Sequence, residues 1–212
     1  MINKYNDDDD DDRSRRRGGE GEEEEEEKEK QEMNTISYEI FKENVKNISE
    51  ISQKLFDNWH LKELINDGNN SDRVDYLEKT EQFYVESNLF TFVYQIFYSF
   101  SYNVPVFYLN AFESNGKLLK IEKIFDLLKL NIPTATTNDD DDYLDMFTIT
   151  EHPYLHKPYY YIHPCKTSKW MNITALRSSL SSNLNYTLKW LSFIFSQLNL
   201  KLDLQYSKYV SI

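Results

Sequence analysis

Seventeen residues, Glu151 to Thr167, hold most of what could do chemistry: Glu-His-Pro-Tyr-Leu-His-Lys-Pro-Tyr-Tyr-Tyr-Ile-His-Pro-Cys-Lys-Thr. They include three of the chain's four histidines, three of its five prolines and its single cysteine, Cys165. Three readings compete. His152, His156, His163 and Cys165 are zinc-type ligands, but Pro153 and Pro158 keep them off one helix, and structural zinc sites come as paired knuckles. A lone cysteine can equally be an inert, buried small hydrophobe. In the third reading Cys165 is a nucleophile. It follows an expected strand that ends at His163-Pro164 and precedes Lys166-Thr167-Ser168-Lys169. Such a partly exposed, positively flanked place favours the thiolate.

A Cys–His hydrolase needs a third group, an oxyanion hole and a cleft, and nothing in the sequence speaks for the cleft. A thioester carrier needs less: an accessible thiol and a surface for the acyl group and the acceptor amine. Supporting roles fall to His163 as a base, and to the Thr167 hydroxyl or the N–H groups after Cys165 as oxyanion donors. Their plainer alternatives are a structural histidine and a turn-capping threonine.

The elements that must position this stretch read as α+β, not as a βαβ repeat. Asn34 or Thr35 is expected to cap a helix running to about Phe56, with Ile36, Ile40, Phe41, Ile48, Ile51 and Leu55 on one stripe. Asp67 to Asp72 reads as a loop, and residues 82 to 86 as a short strand. Phe90, Phe92, Tyr94, Ile96, Tyr98 and Phe100 recur at the strand period. Asn103 is a turn residue, and Val104 to Phe112 continues the meander, with Pro105 near its start. Leu118 to Leu128 carries a helical stripe of Ile121, Ile124, Phe125 and Leu128. Asn138 to Asp142 is an acidic loop, Tyr159 to Ile162 a strand, and Asn185 to Leu198 a last helix buried through Tyr186, Trp190, Phe193, Ile194 and Leu198.

Composition narrows the function classes. Residues 1 to 33 hold 15 acids and 7 bases, a net −8 of the chain's −12. The acidity therefore belongs mainly to an expected disordered tail, followed by one domain over 34 to 212. A net-negative body argues against nucleic-acid binding, which rests on Lys and Arg neutralising phosphates. One cysteine permits no internal disulfide. No apolar run approaches the ~20 residues of a membrane span, and acids stand where a signal peptide needs an apolar stretch, so a cytoplasmic place is expected. No glycine-rich phosphate loop or G-x-S-x-G elbow occurs, so no cofactor is expected.

Glu151-His152-Pro153, Pro158 through Thr167, Tyr98-Ser99-Phe100-Ser101-Tyr102-Asn103-Val104-Pro105-Val106-Phe107-Tyr108, Gly116-Lys117-Leu118 and Asn185-Tyr186 through Trp190-Leu191-Ser192 together resemble the autophagy-related protein ten family. The likeness spans roughly Phe90 to Tyr206. It implies a ubiquitin-conjugating-enzyme-like fold, an antiparallel sheet flanked by helices, with Cys165 as the thioester cysteine. It further implies loading of autophagy-related protein twelve onto Cys165 by its activating enzyme, autophagy-related protein seven. A lysine of autophagy-related protein five would then attack to give an isopeptide bond, without a separate ligase. The chain departs from the family in its acidic tail and in a short region before Phe90, where edge strands are expected to be missing. It departs from ordinary ubiquitin-conjugating enzymes, where His-Pro-Asn precedes the cysteine, because here the cysteine itself follows His-Pro. A non-catalytic module of the same fold and a small zinc protein remain the alternatives.

Overall fold

A computed structural model describes residues 35–65, 73–130, 147–165, 167 and 185–209. The acidic tail, both expected loops and the Lys166, Ser168 and Lys169 flank of the cysteine lie outside them. All the described elements lie in one unit, Ile36–Ile212.

Helix α1 runs Tyr38–Leu55. Its cap is Ser37, whose side chain accepts from the Ile40 N–H, and not Asn34 or Thr35. The shift has a physical cause. Ile36 is extended against the body, its N–H donating to the Asn103 carbonyl (2.9 Å) and its carbonyl accepting from the Tyr98 hydroxyl (2.6 Å). The helix can only begin beyond that tie. Ile40 is 47% exposed, while Val45 joins Phe41, Ile48 and Ile51 in the core.

Six strands follow: β1 His60–Ile65, β2 Arg73–Val85, β3 Asn88–Ser99, β4 Val104–Glu113, β5 Phe147–Glu151 and β6 Pro158–Ile162. They form one antiparallel sheet in the order β1-β2-β3-β4-β6-β5. Edge strands expected to be missing before Phe90 are present, and the short strand at 82 to 86 is the end of a thirteen-residue β2. The β2–β3 hairpin turns at Glu86 and Ser87, both at positive φ (49° and 71°). Helix α2, Ile121–Leu128, starts three residues later than its apolar stripe suggested, because Leu118 bridges to Phe112 as β structure. Helix α3 is Tyr186–Gln197, capped by the Asn185 side chain, and α4 is Tyr206–Tyr209.

The class is the expected one, an antiparallel sheet flanked by helices. One sheet face, through Phe92, Tyr94, Ile96, Phe107 and Leu109, packs with α1, α2 and α3 into the larger core. The other gathers Val74, Tyr76, Phe97, Val106, Tyr108 and Tyr159, with Tyr154, Leu155 and Tyr161 against it. Phe100 is past the end of β3 and 57% exposed, since the strand closes at Ser99.

Candidate active site

Strand β6 delivers the reactive stretch. Its neighbours, β4 on the inner side and β5 at the sheet edge, fix it in register, Leu109 opposite Tyr160 and Phe147 opposite Ile162. After Ile162 the backbone leaves the sheet, and Pro164 and Cys165 are helical. A proline suits the opening of a helical turn, where its missing donor goes unused. Pro164 is buried and Cys165 is exposed. Thr167 is fully buried, its hydroxyl oxygen accepting from the Trp190 indole N–H (3.3 Å). Two inward anchors thus bracket a thiol that points out. This placement makes Thr167 a tether to α3.

The turn does what an extended strand would not. It brings the His163 Nδ1 to 2.7 Å from the Cys165 Sγ, and the Cys165 N–H donates to the same nitrogen (3.2 Å). A backbone donor into Nδ1 makes that atom the acceptor and puts the ring proton on Nε2. Nδ1 is therefore placed to take the thiol proton. A nucleophile with a base inside hydrogen-bond reach is the minimum for covalent acyl chemistry.

Aromatic rings frame the pair. Tyr102 meets the His163 ring edge-on (5.4 Å, 80°) and Tyr161 lies 6.0 Å away. Burial, then the nearby Tyr102 and Cys165, raise the Tyr161 pKa, so its hydroxyl keeps its proton. A cleft of about 320 Å³ opens beside His163 and Pro164, between the β3–β4 turn and the Pro153–Tyr154 segment, with Phe97 and Tyr108 beneath. Sequence reasoning missed Tyr102, Pro153 and Tyr154 as cleft walls. Their signal was available only as adjacency to Asn103 and His152, whose turns carry them.

The expected turn at Asn103 is real: φ is 53°, its N–H donates to Ser99 (2.8 Å), and its side-chain oxygen accepts from Tyr98 (3.1 Å). Asn185 caps α3 and also donates to the Asn44 carbonyl (3.0 Å). The zinc reading fares differently. His152 is buried with its Nδ1 occupied by the Tyr154 and Leu155 N–H groups, His156 is exposed beside Glu151 (2.9 Å), and His163 faces Cys165. Among the described residues no three His, Cys, Asp or Glu side chains gather as a metal site.

The family model for the autophagocytosis associated protein, active-site domain, matches residues 2–205. The chain belongs to that family. Three curated proteins, each called ubiquitin-like-conjugating enzyme ATG10, are similar to it. The one from Homo sapiens is 32% identical over 130 residues, 59% of this chain and 56% of the relative. The one from Dictyostelium discoideum is 33% identical over 122 residues, 52% and 51%. The one from Arabidopsis thaliana is 29% identical over 126 residues, 57% and 54%. The chain thus spans about half the length of the curated relatives it matches. A crystal structure titled autophagic E2, Atg10, aligns with a TM-score of 0.42 at 23% identity, over 77% of this chain and 97% of that one. The family resemblance read from the sequence is borne out. No helix among the described residues is long and apolar enough to cross a membrane.

Proposed function

We propose that this autophagocytosis-family chain is a ubiquitin-like-conjugating enzyme that carries its modifier as a thioester on Cys165. The observation that supports it most is an exposed thiol 2.7 Å from an imidazole acceptor. In the loading step the Cys165 sulfur attacks the modifier's thioester on the activating enzyme. The C–S bond to Cys165 forms, the activating enzyme's thiol leaves, and His163 Nδ1 takes the Cys165 proton. In the transfer step an amine nitrogen attacks the same carbonyl. The C–N bond forms, the C–S bond breaks, and the departing sulfur regains a proton through His163. A thioester is reactive toward amines, so the protein's main contribution is placement. The modifier is autophagy-related protein twelve, the activating enzyme autophagy-related protein seven and the acceptor a lysine of autophagy-related protein five, all met in the cytoplasm.

Reconstitution with activating enzyme, ATP and modifier, read on a non-reducing gel, tests this. A reductant-sensitive adduct is expected, lost in Cys165→Ala and replaced by a reductant-resistant oxyester in Cys165→Ser. A charged activating enzyme that leaves this chain unmodified would reduce it to a binding module of the same fold.

A further inference from the structure

His152 is wholly buried and the thioester chemistry makes no use of it. Its side chain nevertheless makes specific bonds. Nδ1 accepts from the N–H groups of both Tyr154 and Leu155, each at 3.2 Å. Its main chain closes the same turn from the other side. The His152 N–H donates to the Lys157 carbonyl (2.8 Å), and its carbonyl accepts from the His156 N–H (3.0 Å). A side chain that accepts from N–H groups two and three residues ahead is the job usually given to Asp, Asn or Ser.

The rest of the ring explains the choice of imidazole. Two donors into Nδ1 put the proton on Nε2, which is buried and has no hydrogen-bond partner. The imidazole ring packs against the rings of Tyr108, Phe97 and Tyr159, their centroids 4.5, 4.6 and 5.1 Å from its own. In this buried aromatic setting a protonated imidazole would lack a hydrogen-bonded partner, which disfavours its charge. Burial, and then the charge of His156, push the His152 pKa down to about 4, so Nδ1 stays an acceptor at neutral pH. An asparagine could cap the turn but would leave the aromatic cage underfilled. A phenylalanine would fill the cage and cap nothing.

The turn capped in this way supplies Pro153 and Tyr154 to the cleft, and two of the caging rings, Phe97 and Tyr108, form its floor. The same cleft is lined by His163 and Pro164, next to Cys165. We propose that His152 is a positioning residue, a neutral imidazole cap that holds the Pro153–Tyr154 wall of the cleft in place for transfer from Cys165. The catalytic half of this proposal rests on the thioester reading, and the capping half does not. Loading is arranged jointly with the activating enzyme. Transfer depends on walls that this chain supplies, and misplacement of a wall by an ångström lowers a rate steeply.

The test compares His152→Asn, which keeps an acceptor, with His152→Phe and His152→Leu, which keep bulk. Single-turnover transfer to the purified acceptor protein is measured after charging with activating enzyme, ATP and modifier. The two apolar variants are expected to charge like the parent chain and to transfer at least about tenfold more slowly, since placement sets this step. His152→Asn is expected to remain within about threefold of the parent because the cap survives. Amide hydrogen exchange gives the second readout: the Tyr154 and Leu155 amides should exchange faster in both apolar variants and stay protected in His152→Asn. Parent-like transfer in His152→Phe, an equal loss in His152→Asn, or unchanged exchange at those two amides would overturn the proposal. If the parent chain never charges, the thioester reading falls and takes the catalytic half with it. The exchange data alone then decide the cap.

Discussion

The two faces of the sheet solve different problems. Beneath the helices the contacts are bulky and apolar: Trp59, Trp190, Phe107 and Phe195 are fully or almost fully buried there. Charge enters that face where Lys79 bonds Asp57 (2.6 Å) and Glu81 (2.7 Å) while the Tyr206 hydroxyl donates to the other Asp57 oxygen (2.9 Å). The second face is built from oriented rings and paired polar groups. Tyr76 stacks on Phe97 (4.4 Å, 11°), Gln95 donates to Glu78 (2.8 Å), and Asn110 donates to the Pro158 carbonyl (2.9 Å). Volume burial stabilises without regard to direction, whereas rings and hydrogen bonds fix direction. A face of the second kind can leave a cleft open and keep its walls in place.

The sharpest way to separate the faces is to remove function and stability independently. Cys165→Ala should abolish the reductant-sensitive adduct while leaving thermal unfolding within about 0.5 kcal/mol of the parent, as for an exposed position. Trp190→Ala should strike stability first. Emptying its site costs about 3–5 kcal/mol in urea unfolding, and losing the tether to Thr167 should also impair charging. Equal stability in the two variants would break the comparison. Lys79→Met leaves two carboxylates uncompensated, Asp57 being 15% and Glu81 31% exposed. A loss of about 3 kcal/mol by denaturant titration is expected.

Those effects fall on features of very unequal visibility in the sequence. The α1 stripe and the alternation of β3 are legible because one periodic face is apolar in each. Strand β2 is hidden because its inward positions include Lys79 and Glu81, whose partners, Asp57 among them, come from elsewhere in the chain. Strand β1, His-Leu-Lys-Glu-Leu-Ile, has a spacing that suits a helix as well as an edge strand. At the site, the cysteine and the neighbouring histidine were legible as residue types. Their 2.7 Å approach was not, because it depends on the backbone turning helical at Pro164. The cleft is assembled from three separate turns, and no local pattern encodes that meeting.

Smaller effects sharpen the comparison further. His152 has a folded-state pKa of about 4 against an ordinary 6.5. Between those values the unfolded chain binds the extra proton, so stability is complete above pH 6.5 and declines as pH falls toward 4. The decline should amount to about 2–3 kcal/mol by linkage, and His152→Phe should remove that part of the slope in urea titrations from pH 7 to 4.5. The smallest expected change belongs to neither face. Ser87 sits in the β2–β3 turn at φ 71°, and Ser87→Gly should raise stability by about 0.5–1 kcal/mol by relieving the left-handed backbone. An unchanged or lower midpoint would show that the hairpin end is held by other contacts.

The burial of the tryptophans has an optical consequence. Trp59 and Trp190, the two described tryptophans, both lie in the core beneath the helices and both are 0% exposed, while the rings lining the cleft are tyrosine, phenylalanine and histidine. With Trp170 changed to phenylalanine, indole emission becomes a reporter of one layer of the protein. Its wavelength should register loosening under the helices and stay silent while the cleft fills or empties. Tyrosines lie on both faces, Tyr94 and Tyr206 under the helices and Tyr108 and Tyr159 on the other side, so the indole signal alone is confined to one of them.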